Sequence, residues 1–97
     1  MNIEYKNTQE FTPEELAGIF NSVGWIAGKH PEKLVIAMKN SSTVFSAWDN
    51  EKLIGLINVL DDGAMTAYIH FLLVLPEYQG RGVGKELLNM TADKYKG

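Results

Sequence analysis

Four segments of the chain have the spacing of apolar and polar residues that a β-strand requires. Near the N-terminus, polar residues alternate with apolar ones and predict a short strand from Asn2 to Lys6. Three later segments are rich in β-branched, aromatic and aliphatic residues and predict strands at Thr43 to Asp49, Lys52 to Leu60 and Met65 to Leu75. Because only short turn signals separate these three, they are predicted to form an antiparallel meander.

Three other segments have helical periodicity. The first begins with Thr12 as N-cap, Pro13 at the first helical position and Glu15 completing a capping box, and it ends at Gly24. The second runs from Pro31 to Asn40 and the last from Gly82 to Tyr95. The residues predicted to face the core are Leu16, Ile19, Phe20, Val23, Leu34, Ala37, Met38, Val83, Leu87, Leu88, Thr91 and Tyr95. The predicted order of elements is β-α-α-β-β-β-α.

Length and composition are those of one small globular domain, residues 1–97. The hydrophobic share is 45% and the charged share 22%, with no repeat or low-complexity tract. A chain of this size buries only about two thirds of its unfolded surface, so modest stability is expected.

Charge and residue content exclude several classes of function. The net charge of -3 and the dispersed lysines argue against a nucleic-acid partner but suit a cationic amine. The chain has no cysteine, and His30 and His70 are far apart, so no metal site is expected. The longest apolar stretch, Ile69 to Leu75, is too short to cross a bilayer, and no basic region followed by an apolar run opens the chain. We therefore predict a cytoplasmic protein without a membrane partner.

The segment Gln79-Gly80-Arg81-Gly82-Val83-Gly84 lies between the last predicted strand and the last predicted helix, and it contains the only arginine. Alternating glycines permit positive φ angles and close approach of a ligand, so that successive N–H groups can converge on one anion. A helix N-terminus directly afterwards adds unpaired N–H groups and a positive dipole end, and Arg81 and Lys85 add full charges. The segment is typical of a phosphate site.

Two common phosphate motifs do not fit this segment. In a Walker A loop, Gln79 would have to be glycine and Glu86 would have to be serine or threonine. The dinucleotide motif has the spacing Gly-x-Gly-x-x-Gly in a parallel strand-turn-helix unit, whereas this spacing is Gly-x-Gly-x-Gly after predicted hairpins.

The stretch from Leu72 to Gly84, with Pro76-Glu77-Tyr78-Gln79 ahead of the glycines, resembles the acetyl-CoA-binding motif of the GNAT family of N-acetyltransferases. The order of predicted elements is that of the N-terminal part of the same fold. The resemblance implies a mixed α/β (α+β) fold, with a mainly antiparallel sheet flanked by helices. It also implies acetyl-CoA as co-substrate, held by Leu72, Leu73, Val74, Gly80, Arg81, Gly82, Val83, Gly84 and Lys85.

In that family a fifth strand and a fourth helix follow the third helix, whereas this sequence ends at Gly97. The pantetheine arm enters between the fourth and fifth strands, and the fourth helix often supplies a tyrosine that protonates the thiolate. A strand at Ile69 to Leu75 without a neighbour would expose an apolar sheet edge. We therefore predict either a homodimer through this strand or a fragment of a longer enzyme.

The resemblance also implies residues for the chemistry. A lysine-like amine is mostly protonated at neutral pH, so a proton acceptor is needed, and His70 is the candidate by residue type. Tyr68 stands where other members carry a glutamate, and period-two alternation predicts that Tyr68, His70, Leu72 and Val74 share one face. A purely structural role for His70 stays an open alternative. Trp25 is predicted to line the acceptor site or, equally, to seal the core.

A main-chain N–H at Val74 or an adjacent residue is the predicted donor to the thioester oxygen. The main chain of Leu72, Leu73 and Val74 would also pair with the pantetheine amides as an added strand does. A covalent acetyl-enzyme is not expected, because the sequence has no cysteine and no Ser/His/Asp arrangement.

The resulting hypothesis is an N-acetyltransferase that transfers acetyl from acetyl-CoA to a primary amine by direct attack. The alternatives are a truncated, catalytically weak CoA-binding or interaction module that acts as a dimer, and a general anion-binding domain.

Overall fold

The computed structural model describes residues 3–24 and 26–95, which form a four-stranded sheet and three α-helices. The elements in chain order are β1 (Ile3–Asn7), α1 (Pro13–Ser22), α2 (Pro31–Asn40), β2 (Thr43–Asp49), β3 (Lys52–Asp61), β4 (Ala67–Val74) and α3 (Val83–Lys94). Two short 3-10 helices, Ile26–Lys29 and Pro76–Tyr78, precede α2 and α3. The predicted fold class and order of elements are confirmed.

The strands lie in the order β1-β2-β3-β4, and every neighbouring pair is antiparallel. In β3 the residues from Leu53 to Val59 are all buried, because helices cover both faces of the sheet there. Within the described part of the chain, β4 forms one edge of the sheet.

Two contacts show which helix covers which face. A Cβ added at Gly55 of β3 would lie 2.9 Å from Val83 and 3.3 Å from Leu87, so α3 packs directly on that face. The ring of Phe71 in β4 meets the ring of Phe20 in α1 edge to face, with centroids 5.1 Å apart. Because Phe71 pairs with Asn58, three positions from Gly55, α1 lies on the opposite face.

The helix signals in the sequence are confirmed in detail at α1. Thr12 accepts a hydrogen bond from the Glu15 amide at 3.1 Å, and the Glu15 carboxylate accepts one from the Thr12 amide at 2.9 Å. The core-facing predictions hold for the buried residues Leu16, Ile19, Phe20, Leu34, Met38, Val83, Leu87 and Thr91. Val23, Ala37 and Tyr95 are half-buried.

The prediction for Leu88 is wrong, since 41% of this residue is exposed. The buried stripe of α3 consists of Val83, Leu87 and Thr91, spaced four residues apart. Leu88 lies one position round the helix from Leu87 and therefore falls at the margin of the contact with the sheet.

The strand predicted from Met65 begins later, at Ala67. The carboxylate of Asp62 accepts hydrogen bonds from the amides of Ala64, Met65 and Thr66, which fixes these residues in the hairpin loop. These hydrogen bonds lower the pKa of Asp62 to about 2, with the Thr66 amide as the largest cause.

Candidate functional site

The glycine loop connects the end of β4 to the start of α3. Gly80 has φ 81° and Gly82 has φ 84°, and Gly82 is the N-cap of α3. Gly84 is already helical, so two of the three alternating glycines adopt the left-handed conformation. A Cβ added at Gly80 or Gly82 would meet no atom within 4 Å, which means that the loop presents its main chain to open space.

The first amides of α3 are available to a ligand. The Glu86 amide donates to the carbonyl of Gly82 at 3.0 Å and starts the helical pattern. The amides of Val83, Gly84 and Lys85 make no hydrogen bond of ordinary geometry to any residue that the structure describes. Such a group of N–H donors at the positive end of a helix dipole binds an anion.

Two cations and one tyrosine flank these amides. Arg81 and Lys85 are both exposed, and the Arg81 guanidinium lies 5.9 Å from the ring centroid of Tyr78. The Tyr78 hydroxyl donates to the Asp49 carboxylate at 2.5 Å, and this hydrogen bond is the main cause of the raised pKa of Tyr78. Tyr78 thus connects the start of the loop to the end of β2, and its hydroxyl proton is already donated to Asp49.

In β4 next to the loop, the main-chain amides point alternately toward β3 and toward the open edge of the sheet. The Leu75 amide donates to the Ile54 carbonyl at 2.8 Å, and Val74 pairs with Gly55. Because bonded and non-bonded pairs alternate in an antiparallel ladder, Leu73 faces β3, whereas Leu72 and Val74 direct their amides to the open edge. Among the predicted main-chain donors, Leu72 and Val74 therefore have the outward orientation and Leu73 does not.

His70 lies at a β-bulge. Asn58 and Val59 are consecutive in β3, but they pair with Phe71 and Ile69, so His70 has no partner across the ladder. Its exposed imidazole stacks on the ring of Phe71, with centroids 4.1 Å apart.

The bulge contradicts the prediction that Tyr68, His70, Leu72 and Val74 share one face. Tyr68 pairs with Leu60 and Leu72 with Ile57, and these β3 partners are three positions apart. Tyr68 and Leu72 therefore lie on opposite faces of β4. The rings of Tyr68 and His70 are 6.2 Å apart. Trp25, predicted to line the acceptor site, lies outside the described residues.

Two polar contacts at the site were not foreseen in the sequence. The side-chain amide of Gln79 donates to the carbonyl of Val74 at 3.0 Å, and Asp49 holds Tyr78. The only signal was the position of Gln79 at the head of the motif, and no periodicity identifies a partner in another element.

Two cavities in the described part of the chain lie away from the glycine loop. A cavity of about 460 Å³ lies between the β3–β4 loop and Tyr95, and a second, of about 390 Å³, lies between α1 and the β2–β3 turn. In residues 3–24 and 26–95 no three His, Cys, Asp or Glu side chains are grouped for a metal ion. No helix in the same residues has the length and apolar character to span a membrane.

Comparisons with known proteins agree on the family. The model of the acetyltransferase (GNAT) family matches residues 7–97. The chain is 36% identical over 87 residues to a protein of Pyropia yezoensis called uncharacterized N-acetyltransferase ycf52, covering 84% of this chain and 49% of the relative. The chain thus spans about half the length of the curated relatives it matches.

Solved structures show the same fold. A GNAT-family acetyltransferase of Streptococcus pneumoniae superposes with a TM-score of 0.83 at 28% identity, over 98% of this chain and 69% of that one. An aminoglycoside 6'-N-acetyltransferase complexed with coenzyme A superposes with a TM-score of 0.73 at 18% identity, over 97% and 54% of the two chains.

Proposed function

Since the chain belongs to the acetyltransferase (GNAT) family, we propose that it transfers acetyl from acetyl-CoA to a primary amine by direct attack. The observation that carries the proposal is the group of unpaired amides of Val83, Gly84 and Lys85 behind two left-handed glycines. These donors suit the pyrophosphate of coenzyme A, and the solved relative bound to coenzyme A has the same fold.

The proposed cofactor site has two parts. Residues Gly80 to Lys85 hold the diphosphate, with Arg81 and Lys85 as the neighbouring cations. Acetyl-CoA, when bound, supplies the acetyl group as a thioester. The outward-facing main chain of Leu72 and Val74 holds the pantetheine arm along the edge of β4, as an added strand would be held.

We propose the oxygen-stabilising donor from the direction in which β4 runs. The glycine loop follows the C-terminal end of β4, and the thioester is the end of the cofactor remote from its diphosphate. Val74, the donor expected from the sequence, is the outward amide nearer the loop, and Leu72 is the next one along. We assign the pantetheine to Val74 and the developing oxyanion to Leu72, where a preorganised amide contributes roughly 3 kcal/mol.

The proton acceptor and the acceptor site lie further along β4. His70 lies four positions before Val74, about 13 Å along the strand. The exposed imidazole at the bulge can take a proton from the amine directly or through water, and the exposed Tyr68 ring borders the same end of β4. Trp25 remains assigned to the acceptor site from the sequence.

Two measurements test this function. Calorimetry with acetyl-CoA measures binding, and thiol release with a panel of primary amines measures turnover. Saturable binding with release on at least one amine supports the proposal. Binding without release on any amine would point to the weak CoA-binding module, and ATP competing as well as coenzyme A would point to a general anion site.

We also propose that β4 mediates a homodimer. Its open edge continues past the Leu72 and Val74 positions assigned to pantetheine, and Ile69 there is 40% exposed. Sedimentation velocity should show a dimer that Ile69→Lys dissociates, and a monomer at high concentration would contradict this.

The cytoplasmic location stays a prediction, which cell fractionation would check.

A further inference from the structure

A groove separate from the cofactor site lies between α1 and the β2–β3 turn, with a volume of about 390 Å³. Its floor is mainly carbon and includes Gly18, Ile19, Leu53 and Leu75. None of the residues assigned above to the cofactor or the acceptor lines it. Leu75 follows Val74 in the chain. It lines this groove, and its amide is bonded to Ile54 of β3.

The rim of the groove is acidic. Among its lining residues are the four carboxylates of Glu14, Glu15, Glu51 and Glu77 and a single ammonium, that of Lys52. The lining therefore has a net charge of -3, which equals the formal net charge of the chain. The charges of the remaining residues sum to zero, so the lining of this groove carries a local excess of negative charge.

Two of these carboxylates have no partner in the described residues. Glu15 completes the N-terminal capping box, and Glu77 lies 3.8 Å from Lys52 in an exposed pair. Glu14 and Glu51 form neither an ion pair nor a hydrogen bond with any side chain that the structure describes. They are therefore available to a cation from outside the molecule.

At Gly18 the side of the groove formed by α1 has no side chain, which leaves a low wall there. It occupies an interior position of α1, where glycine costs about 1 kcal/mol relative to alanine. A Cβ added there would meet no atom within 4 Å, so packing within the described chain does not require glycine. Its absence of a side chain instead lets another main chain approach the helix closely.

From the apolar floor, the acidic rim and the low wall at Gly18, we propose that this groove docks an extended basic peptide segment of a partner protein. Aliphatic stems of lysine or arginine lie on the carbon floor while their charged ends reach Glu14 and Glu51. An open groove lined by one glycine suits a passing main chain, whereas a free polyamine has no main chain to place there.

The binding test uses the isotope-labelled chain without acetyl-CoA, so that its result is independent of acetyl transfer. The probe is a synthetic octapeptide of alternating lysine and leucine, and the control peptide has glutamate in place of lysine. We expect saturable shifts of the amides of Gly18, Leu53 and Leu75 with the basic peptide alone. Shifts confined to residues 80–85, or equal binding of the acidic peptide, would overturn the proposal.

Two sets of variants distinguish the groove from general charge attraction. Glu14→Gln with Glu51→Gln should weaken peptide binding about threefold to tenfold. Glu32→Gln with Glu4→Gln makes the same change in net charge, with Glu32 in the first turn of α2 as Glu14 is in that of α1, and should leave the affinity unchanged. Equal weakening by both pairs would refute a specific groove.

Gly18→Met provides an independent test because it should fill the groove without unfolding α1, where methionine is the better helix former. Peptide binding should be lost while thermal stability is retained, and Gly18→Ala should be at least as stable as the unmodified chain. Undiminished binding to Gly18→Met would refute the proposal, as would spermidine shifting the same amides at lower concentration than the peptide.

Discussion

The side-chain amide of Gln79 donates a hydrogen bond of 3.0 Å to the main-chain carbonyl of Val74. This contact connects the glycine loop to the open edge of β4, the two parts of the proposed cofactor site. It also satisfies the carbonyl of Val74, which points away from β3, while the amide of the same residue remains available.

Replacing Gln79 with alanine should therefore weaken coenzyme A binding without changing the fold. A hydrogen bond of this kind contributes about 0.5 to 1.5 kcal/mol, so the dissociation constant should rise about threefold to tenfold. Calorimetry measures the change, and Asn89→Ala, at an exposed position of α3, is the control. An unchanged affinity would show that the loop holds its position without this contact.

Gly82 and Gly63 form a natural pair for testing the anion site. Both have positive φ, 84° and 75°, and a Cβ at either position would meet no atom within 4 Å. Alanine at either position should cost about 1 to 2 kcal/mol of stability, because an L side chain is strained in this conformation. Only Gly82→Ala should also reduce coenzyme A affinity, and Gly82→Asp should abolish it, since Gly63 lies in the distant β3–β4 loop.

Chemical denaturation and calorimetry on the two alanine variants give the result. If Gly63→Ala reduced coenzyme A binding as much as Gly82→Ala, the loss would follow from stability and the anion site would not be at α3.

The elements could be predicted from the sequence because each has a local signal. The capping box at Thr12 and Glu15 and the helical spacing of Leu16, Ile19 and Phe20 specify α1 within a few residues of chain. The conformation of the glycine loop could be predicted for the same reason, because glycine readily adopts the positive φ seen at Gly80 and Gly82.

Contacts between elements could not be predicted in this way. The bulge at His70 arises from the register of β4 against β3, and a one-residue slip in register reverses the face of every later side chain. Period-two counting therefore placed Tyr68 on the wrong face. The contacts of Gln79 with Val74 and of Tyr78 with Asp49 likewise depend on how the chain closes back on itself.

The role of His70 can be tested through pH dependence. If its imidazole accepts the amine proton, kcat/KM should rise with pH, and His70→Gln should remove that rise while coenzyme A affinity is retained. His30→Gln is the matched control, because His30 is also exposed but lies at the start of α2. The most reactive amine of the panel serves as acceptor. A profile unchanged by His70→Gln would assign the residue a structural role on the ring of Phe71.

Asp62 provides a test of the fold at low pH. Three amides of the β3–β4 loop donate to its carboxylate and lower its pKa to about 2, below the usual value near 3.9 for an unfolded chain. A carboxyl group whose pKa is lower in the folded state stabilises that state above the unfolded pKa, and this contribution is lost as the pH falls through the folded pKa. Asp62→Ala should therefore be less stable than the unmodified chain at pH 6, and the difference should shrink between about pH 4 and pH 2. Urea unfolding at several pH values measures both, with Asp93→Ala as the control because Asp93 is an exposed carboxylate in the last turns of α3. A difference that stayed constant down to pH 2 would mean that the side chain orders this loop through its shape and not through its charge.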